Sequence, residues 1–197
     1  MKRLSTVLAL LAGLAATALV HAQAFPAKPI MLVVPFAAGS GTDAVARAVA
    51  SQLQERLKQP VIVENKAGAN AQIAAQYVAR AAPDGYTLLM TTNTSHSANP
   101  SLVLNLKYDP IKDFTPIARV GELPFALAVH PSVPAKTLGE LLDYARANPG
   151  KLSYATPNST SLVAMETIRH IAKVDIVGVP YKSSPQAMTD LIGGQVQ

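Results

Sequence analysis

Between Pro29 and Met90 the sequence alternates, over short connections, between unbroken apolar runs and helical stripes. Ile30-Met31-Leu32-Val33-Val34 is apolar at every position, as a strand covered on both faces must be. Ala37-Ala38-Gly39-Ser40-Gly41-Thr42 turns the chain. Val45, Val49, Leu53 and Leu57, with Ala46 and Ala50 beside them, then recur at helical spacing, and Thr42 or Asp43 can cap that helix. Val61-Ile62-Val63, behind Pro60, reads as a second short buried strand. Residues 65–70 form a loop, and Ile73, Ala74, Tyr77, Val78 and Ala81 mark a second helix. Pro83-Asp84-Gly85 breaks it, and Tyr86 to Met90 returns as a strand. Strands and helices in this order, with connections this short, predict a parallel, doubly wound α/β sheet.

Residues 91–124 are polar and punctuated by Asn99-Pro100 and Asp109-Pro110, and they read as a long connecting region. The alternation then restarts. Ala126 to Val129 opens it, and Thr137-x-x-Glu140 is a capping box ahead of Leu138, Leu141, Leu142 and Ala145. Asn148-Pro149-Gly150 ends that helix. Leu152 to Ala155 is a strand, Thr160 to Ala172 a helix and Ile176 to Val179 a further strand. Ser184-Pro185 sets an N-cap with proline at the first helical position, and Gly193 closes the last helix. The pattern therefore predicts two α/β lobes, residues 25–125 and 126–197, with a seam near 120–127. Gly193-Gly194-Gln195-Val196 resembles the opening of another strand, so the second lobe is expected to be incomplete and the chain truncated at its C-terminus.

Met1-Lys2-Arg3 precedes an apolar run from Leu4 to Val20 and a small-residue exit through Ala22-Gln23-Ala24. That is the plan of a secretory signal peptide over residues 1–24, with Phe25 as the mature start; cleavage after Ala22 fits nearly as well. A membrane anchor is the competing reading of an apolar run this long, and the small exit residues favour cleavage. Losing Lys2 and Arg3 from 17 basic residues, against 12 acidic ones, leaves the mature chain at +3. Those charges are scattered without a basic stripe and aromatics are few, so nucleic acid is not an expected partner. The sequence has no cysteine, so disulfides play no part.

In open α/β sheets ligands sit beyond the carboxyl ends of the strands. In the first lobe those are the loops at 36–43, 64–72 and 91–99; in the second they are 130–136, 155–161 and 180–184. Phe36, Gly39, Ser40, Gly41, Thr42 and Asp43 are the first candidates, because backbone N–H groups at a helix N-terminus favour an anion. One helix terminus is worth only about 0.3–2 kcal/mol. A micromolar ligand needs about 8 kcal/mol. Further donors must converge, and Thr92, Asn93, Thr94 and Ser95 after the third strand, with Thr156, Asn158, Ser159 and Thr160 across the seam, are the candidates; His96, in the same polar loop, is a further candidate contact. Two glycines that only make a tight strand-to-helix turn would produce the same sequence, and both readings stay open. Asp43 reads equally as a cap.

Other chemistries fail definite tests. The glycine turn lacks the Lys-Ser/Thr ending of a phosphate-binding loop. Ala38 and Thr42 stand where a nucleophile elbow around Ser40 needs glycine. His96, His130 and His170 have no ligand spacing and no cysteine to join them, so neither a metal site nor a cofactor is expected.

Several segments resemble one known family in order and spacing. They are Pro35-Phe36-x-Ala38-Gly39-x-Gly41-Thr42-Asp43, Pro60-Val61-x-Val63-Glu64-Asn65 and Ala82-Pro83-Asp84-Gly85-Tyr86-Thr87-Leu88-Leu89. Tyr108-Asp109-Pro110-x-Lys112-Asp113-Phe114-x-Pro116, Pro131 to Thr137, Pro149-Gly150-Lys151-Leu152-x-Tyr154-Ala155 and Val179-Pro180-Tyr181-Lys182 continue the series. Together they resemble the substrate-binding receptors of tripartite tricarboxylate transporters, the Bug proteins, over nearly all of the mature chain. The resemblance implies a type II periplasmic binding protein fold, with two doubly wound lobes closing on a cleft. It also implies a monomeric, non-catalytic periplasmic receptor that hands a small organic acid to membrane permease subunits. A ligand carboxylate would lie at Phe36 to Asp43, with second-lobe contacts from Thr156 to Ser161. The chain departs from the family at Asn70-Ala71-Gln72, where glycine is usual, and in 156–161, which has neither the glycine nor the histidine usual there. A ligand-sensing co-receptor for a two-component sensor kinase would use the same pocket. A secreted hydrolase would need a histidine partner for Ser40, and none is evident.

Overall fold

The computed structural model describes residues 25–197; the signal peptide expected over 1–24 lies outside the described residues. Two parallel sheets are present. The first has the order β2-β1-β3, with β1 at Ile30–Val34, β2 at Val61–Asn65 and β3 at Thr87–Leu89. Leu32 stands opposite Val63 on one side and Leu88 on the other. The central place falls to β1, whose Ile30, Leu32, Val33 and Val34 are all buried. β2 is an edge strand with Ile62 exposed, so burial on both faces holds at β1 and fails at β2.

Helix α1, Gly41–Leu57, lays Ala46 and Ala50 on this sheet, and the larger Val45, Val49, Leu53 and Leu57 flank them half-buried. Small residues at the contact let helix and sheet approach closely. α2, Gln72–Ala79, is shorter than its apolar stripe suggests and buries Ala74 and Ala75 while Ile73 and Tyr77 stay exposed. The connection after β3 is not all loop. Thr94–Ala98 is a π-helical turn running into the short α3, Asn99–Leu102. Pro100 sits in the first turn of α3, where its missing N–H leaves no bond unmade. Tyr108 anchors this turn by donating to the Ser95 carbonyl at 2.6 Å and accepting from Asn99 Nδ2 at 3.2 Å.

The second sheet pairs β4, Ser153–Thr156, with β5, Val177–Pro180, in parallel. α4 at Leu138–Ala147, α5 at Ser159–Ala172 and α6 at Ser184–Ile192 accompany it. Its core is separate from the first and includes Val133, Leu141, Leu152, Tyr154, Met165 and Ile176. The Thr137–Glu140 capping box forms as expected. Two caps shift by one residue: Ser183, not Ser184, accepts the capping bond of α6, and Gly194, not Gly193, takes the left-handed φ of +68°.

Ala126–Val129 is a further correction. It joins no sheet, and Phe125 and Leu127 are exposed. Gln197 occupies the place beside β4, donating to the Ser153 carbonyl at 3.2 Å and accepting from the His130 N–H at 2.9 Å. Among the described residues the 126–129 segment pairs with no strand. Among the described residues no helix is long and apolar enough to cross a membrane.

Candidate functional site

The turn before α1 is built around one charge. Gly39 takes φ +80°, a conformation that side-chain-bearing residues avoid, and this brings Ser40 to the N-cap. Ser40, rather than Thr42 or Asp43, accepts the capping bond, from the Asp43 N–H at 3.2 Å. The buried Asp43 carboxylate accepts from the Gly39 N–H at 3.0 Å, Arg47 Nε at 2.9 Å and Asn65 Nδ2 at 2.8 Å. Asn65 also donates to the Phe36 carbonyl at 3.0 Å, tying the end of β2 to the turn. The Arg47 bond, with those from Gly39 and Asn65, outweighs desolvation and holds the Asp43 pKa at about 2.

This arrangement narrows the set of donors. The Gly39 amide serves Asp43, and the Ser40 amide donates to the Ala37 carbonyl at 3.2 Å. The N–H groups of Gly41 and Thr42 have no partner among the described residues, and they are the first two amides of α1. A methyl placed on Gly39 would lie 3.7 Å from Pro185 Cγ, and one on Gly41 3.5 Å from Leu123 Cδ1. The start of α6 therefore faces the turn from the second sheet's side.

The loops after β3 and β4 meet directly. Ser159 donates its hydroxyl to Thr94 Oγ1 at 2.9 Å, both side chains being fully buried. Asn93 and Thr160 exchange two hydrogen bonds, Nδ2 to Oγ1 at 2.8 Å and Oγ1 to Oδ1 at 3.1 Å. Four of the sequence candidates thus satisfy one another across the seam. Asn158 instead caps α5, accepting from the Ser161 N–H at 3.0 Å. Thr92 Oγ1 accepts from the Thr94 N–H at 3.3 Å. His96 packs edge-on against Phe114 with ring centroids 4.7 Å apart, and its Nδ1 lies 2.7 Å from Thr91 Oγ1. Burial lowers its pKa, which favours the neutral ring.

A cavity of about 420 Å³ opens at the carboxyl ends of β4 and β5. Thr156 and Asn158 line it as candidates from the sequence, whereas the α1 turn does not. Sequence reasoning missed Asn70, Glu166 and Arg169, which also line it. Asn70 had one signal, since it stands where the resembled family carries glycine. In the structure Ala69, Asn70 and Ala71 all take positive φ, at 46°, 50° and 65°. Glu166 accepts a bond from the Tyr154 hydroxyl and two from Arg169 Nη1, at 2.8 and 2.9 Å. Among the described residues no cluster of His, Asp or Glu could hold a metal ion.

Comparison with known proteins gives this geometry a context. The sequence profile of the Tripartite tricarboxylate transporter family receptor, TctC, matches residues 45–197. Protein BugT of Bordetella pertussis is 37% identical over 190 residues, covering 94% of this chain and 57% of its own length. Among solved structures, R. palustris Rpa4515 with adipate superposes with a TM-score of 0.84 at 36% identity, covering 87% of this chain and 58% of that one. MatC of Rhodopseudomonas palustris with bound malate gives a TM-score of 0.78 at 36% identity, covering 87% and 59%. The chain thus spans a little under three fifths of the length of these relatives. Its fold is that of TctC-type periplasmic binding proteins, whose family consists of solute-binding receptors and not enzymes. On the extent of the profile match and the likeness of the fold, the chain belongs to the tripartite tricarboxylate transporter receptor family.

Proposed function

We propose that this protein is an exported, monomeric periplasmic receptor that closes two lobes, residues 25–125 and 126–197, over a small organic carboxylate and passes it to membrane permease subunits. Residues 1–24 would direct export. The observation carrying the reading is the pair of unpartnered amides, Gly41 and Thr42, at the start of a helix of 17 residues. They suit a carboxylate because the helix N-terminus adds a partial positive charge to two aligned donors. Phe36, Gly39, Ser40 and Asp43 act as the frame of that turn: Asp43, already saturated with donors, fixes its shape and leaves the next two amides to the ligand. Similar proteins hold adipate and malate, which supports the ligand class. Thr92, Asn93, Thr94 and His96, with Thr156, Asn158, Ser159 and Thr160, form the opposing walls and the contact between lobes.

Calorimetry against C4 to C6 di- and tricarboxylates, amino acids and aromatic acids tests the reading. Saturable binding of a carboxylate without turnover is the expected result. Gly41→Val should abolish it, since a β-branched side chain at this position crowds the two amides. The Gly41 backbone is not in the left-handed region and a Cβ there meets Leu123 Cδ1 at 3.5 Å, an ordinary contact, so circular dichroism of the variant, expected to match the wild type, separates lost binding from lost fold. Full affinity in the variant removes the turn from the site.

A further inference from the structure

We infer that Asn93 and Thr160 form a latch between the two units: they hold the receptor shut over its ligand without touching it, and so set how long a carboxylate stays bound rather than which one binds. This deepens the receptor reading above and rests on it. The two side chains are each other's partners. Asn93 Nδ2 donates to Thr160 Oγ1 at 2.8 Å, and the Thr160 hydroxyl donates back to Asn93 Oδ1 at 3.1 Å. The one hydroxyl proton of Thr160 and the carbonyl oxygen of Asn93 are thereby both committed. Neither residue lines the cavity at the ends of β4 and β5. The elements they join lie far apart in the chain. Asn93 leads into the π-helical turn after β3 in the first unit, and Thr160 lies in the first turn of α5 in the second, 67 residues away.

The make-up of the seam suits repeated opening and closing. Among the described residues every ion pair, from Lys28–Asp84 to Arg169–Glu166, lies within one unit, so no charge pair crosses. The bridging groups are hydroxyls and a carboxamide, with Ser159 donating to Thr94 beside the Asn93–Thr160 pair at 2.9 Å. Neutral hydrogen bonds exchange for bonds to water at small net cost. The two pairs differ in burial. Thr94 and Ser159 are fully enclosed, whereas Asn93 is exposed and Thr160 half-buried. Asn93–Thr160 is therefore the outer pair, where water competes directly and the contact adds only a modest bias toward the shut state. A modest bias suits a receptor that must also release its ligand. The fraction of molecules able to shut scales the apparent affinity for every ligand alike, because it involves no contact with any of them.

The test measures binding and release of succinate, glutarate, adipate, malate and citrate by surface plasmon resonance, in Asn93→Ala, Thr160→Val and the double variant. Each single variant should raise the release rate about 5-fold for every acid that the wild type binds, with the association rate unchanged or higher. The double variant should lie within about 2-fold of the singles, because all three remove the same pair. Thr160→Ser keeps the hydroxyl and should recover most of the loss. Release rates equal to the wild type, or a fall in association rate alone, overturn the inference. So does a loss confined to one of several bound acids, or a double variant in which the single effects multiply, since both mark separate contacts with the ligand. If Gly41→Val abolishes binding while the Asn93 and Thr160 variants bind and release as the wild type does, the carboxylate-receptor reading stands without the latch. A wild type that binds none of the acids removes both.

Discussion

Asp43 accepts three hydrogen bonds on two oxygens from the third position of α1, so its charge is worth more to the fold than its place in a glycine-rich turn suggests. Its pKa lies at about 2, against 3.8 without those partners. Above about pH 5 the carboxylate is ionised in folded and unfolded chains alike, and the stabilisation is fully present; it is lost as pH falls toward 2. The difference corresponds to roughly 2 kcal/mol, an upper figure because the Arg47 partner is half exposed and screened. Asp43→Asn should therefore cost about 1–2 kcal/mol in urea denaturation at pH 7 and much less at pH 2.5. An equal loss at both would show that charge is not the source. His96 acts in another window: burial lowers its pKa from 6.5, so the stability it supports is present above 6.5 and declines as pH falls below that value. His96→Phe should flatten the stability profile between pH 7 and pH 5. At Ala69, whose φ is 46°, replacement by glycine relieves left-handed strain worth about 1 kcal/mol and loosens the unfolded chain by a little less. Ala69→Gly should leave the melting temperature unchanged or raise it, whereas Ala74→Gly inside α2 should lower it. Gly39 was legible as a turn residue because glycine marks positive φ; Ala69 and Ala71 carry no such mark, and their strain shows only in the folded chain.

The elements themselves were legible wherever the local pattern decides them. β1 matches its apolar run residue for residue, and the Thr137–Glu140 box forms because both partners sit at the spacing the motif requires. Helix starts with several polar residues in a row were less so. At α1, Ser40 outranks Thr42 and Asp43 because Gly39 fixes where the chain leaves the turn. At α6, Ser183 rather than Ser184 has the extended backbone a cap needs, with φ −155° and ψ 151°. Ser183→Ala should accordingly cost about 1 kcal/mol of stability. Ser184→Ala, at an exposed first helical position, should stay within about 0.5 kcal/mol by the same denaturation assay. Reversed magnitudes would move the cap back to Ser184. The Ala126–Val129 strand failed for a different reason. A strand needs a neighbour; among the described residues none pairs with 126–129, and whether a distant segment does so is information that no window around residue 126 contains.

Two sheets with separate cores meet at a seam whose central contact, Ser159 to Thr94, joins residues 65 apart in sequence. The loops that meet there follow from the rule that places ligand loops beyond strand ends, so their general position was legible. Which hydroxyl faces which was not, because docking of one unit on the other sets it; Glu166 and Arg169 pair three residues apart on α5 within one unit, and no local pattern marks them as cavity-lining. That docking can be measured through its buried hydroxyl pair. Thr94→Val keeps the side-chain shape and leaves the Ser159 hydroxyl without its acceptor, which costs about 1–3 kcal/mol. Ser159→Ala strands Thr94 in the same way. The double variant removes both polar groups and should cost less than the sum of the singles, with a coupling of about 1 kcal/mol in a double-mutant cycle. Such coupling requires the two units to be docked in solution and to unfold as one. If the single losses add without coupling, the units are not docked in solution. The closed seam would then form only on ligand binding, and in that case the coupling should appear on repeating the cycle with saturating carboxylate.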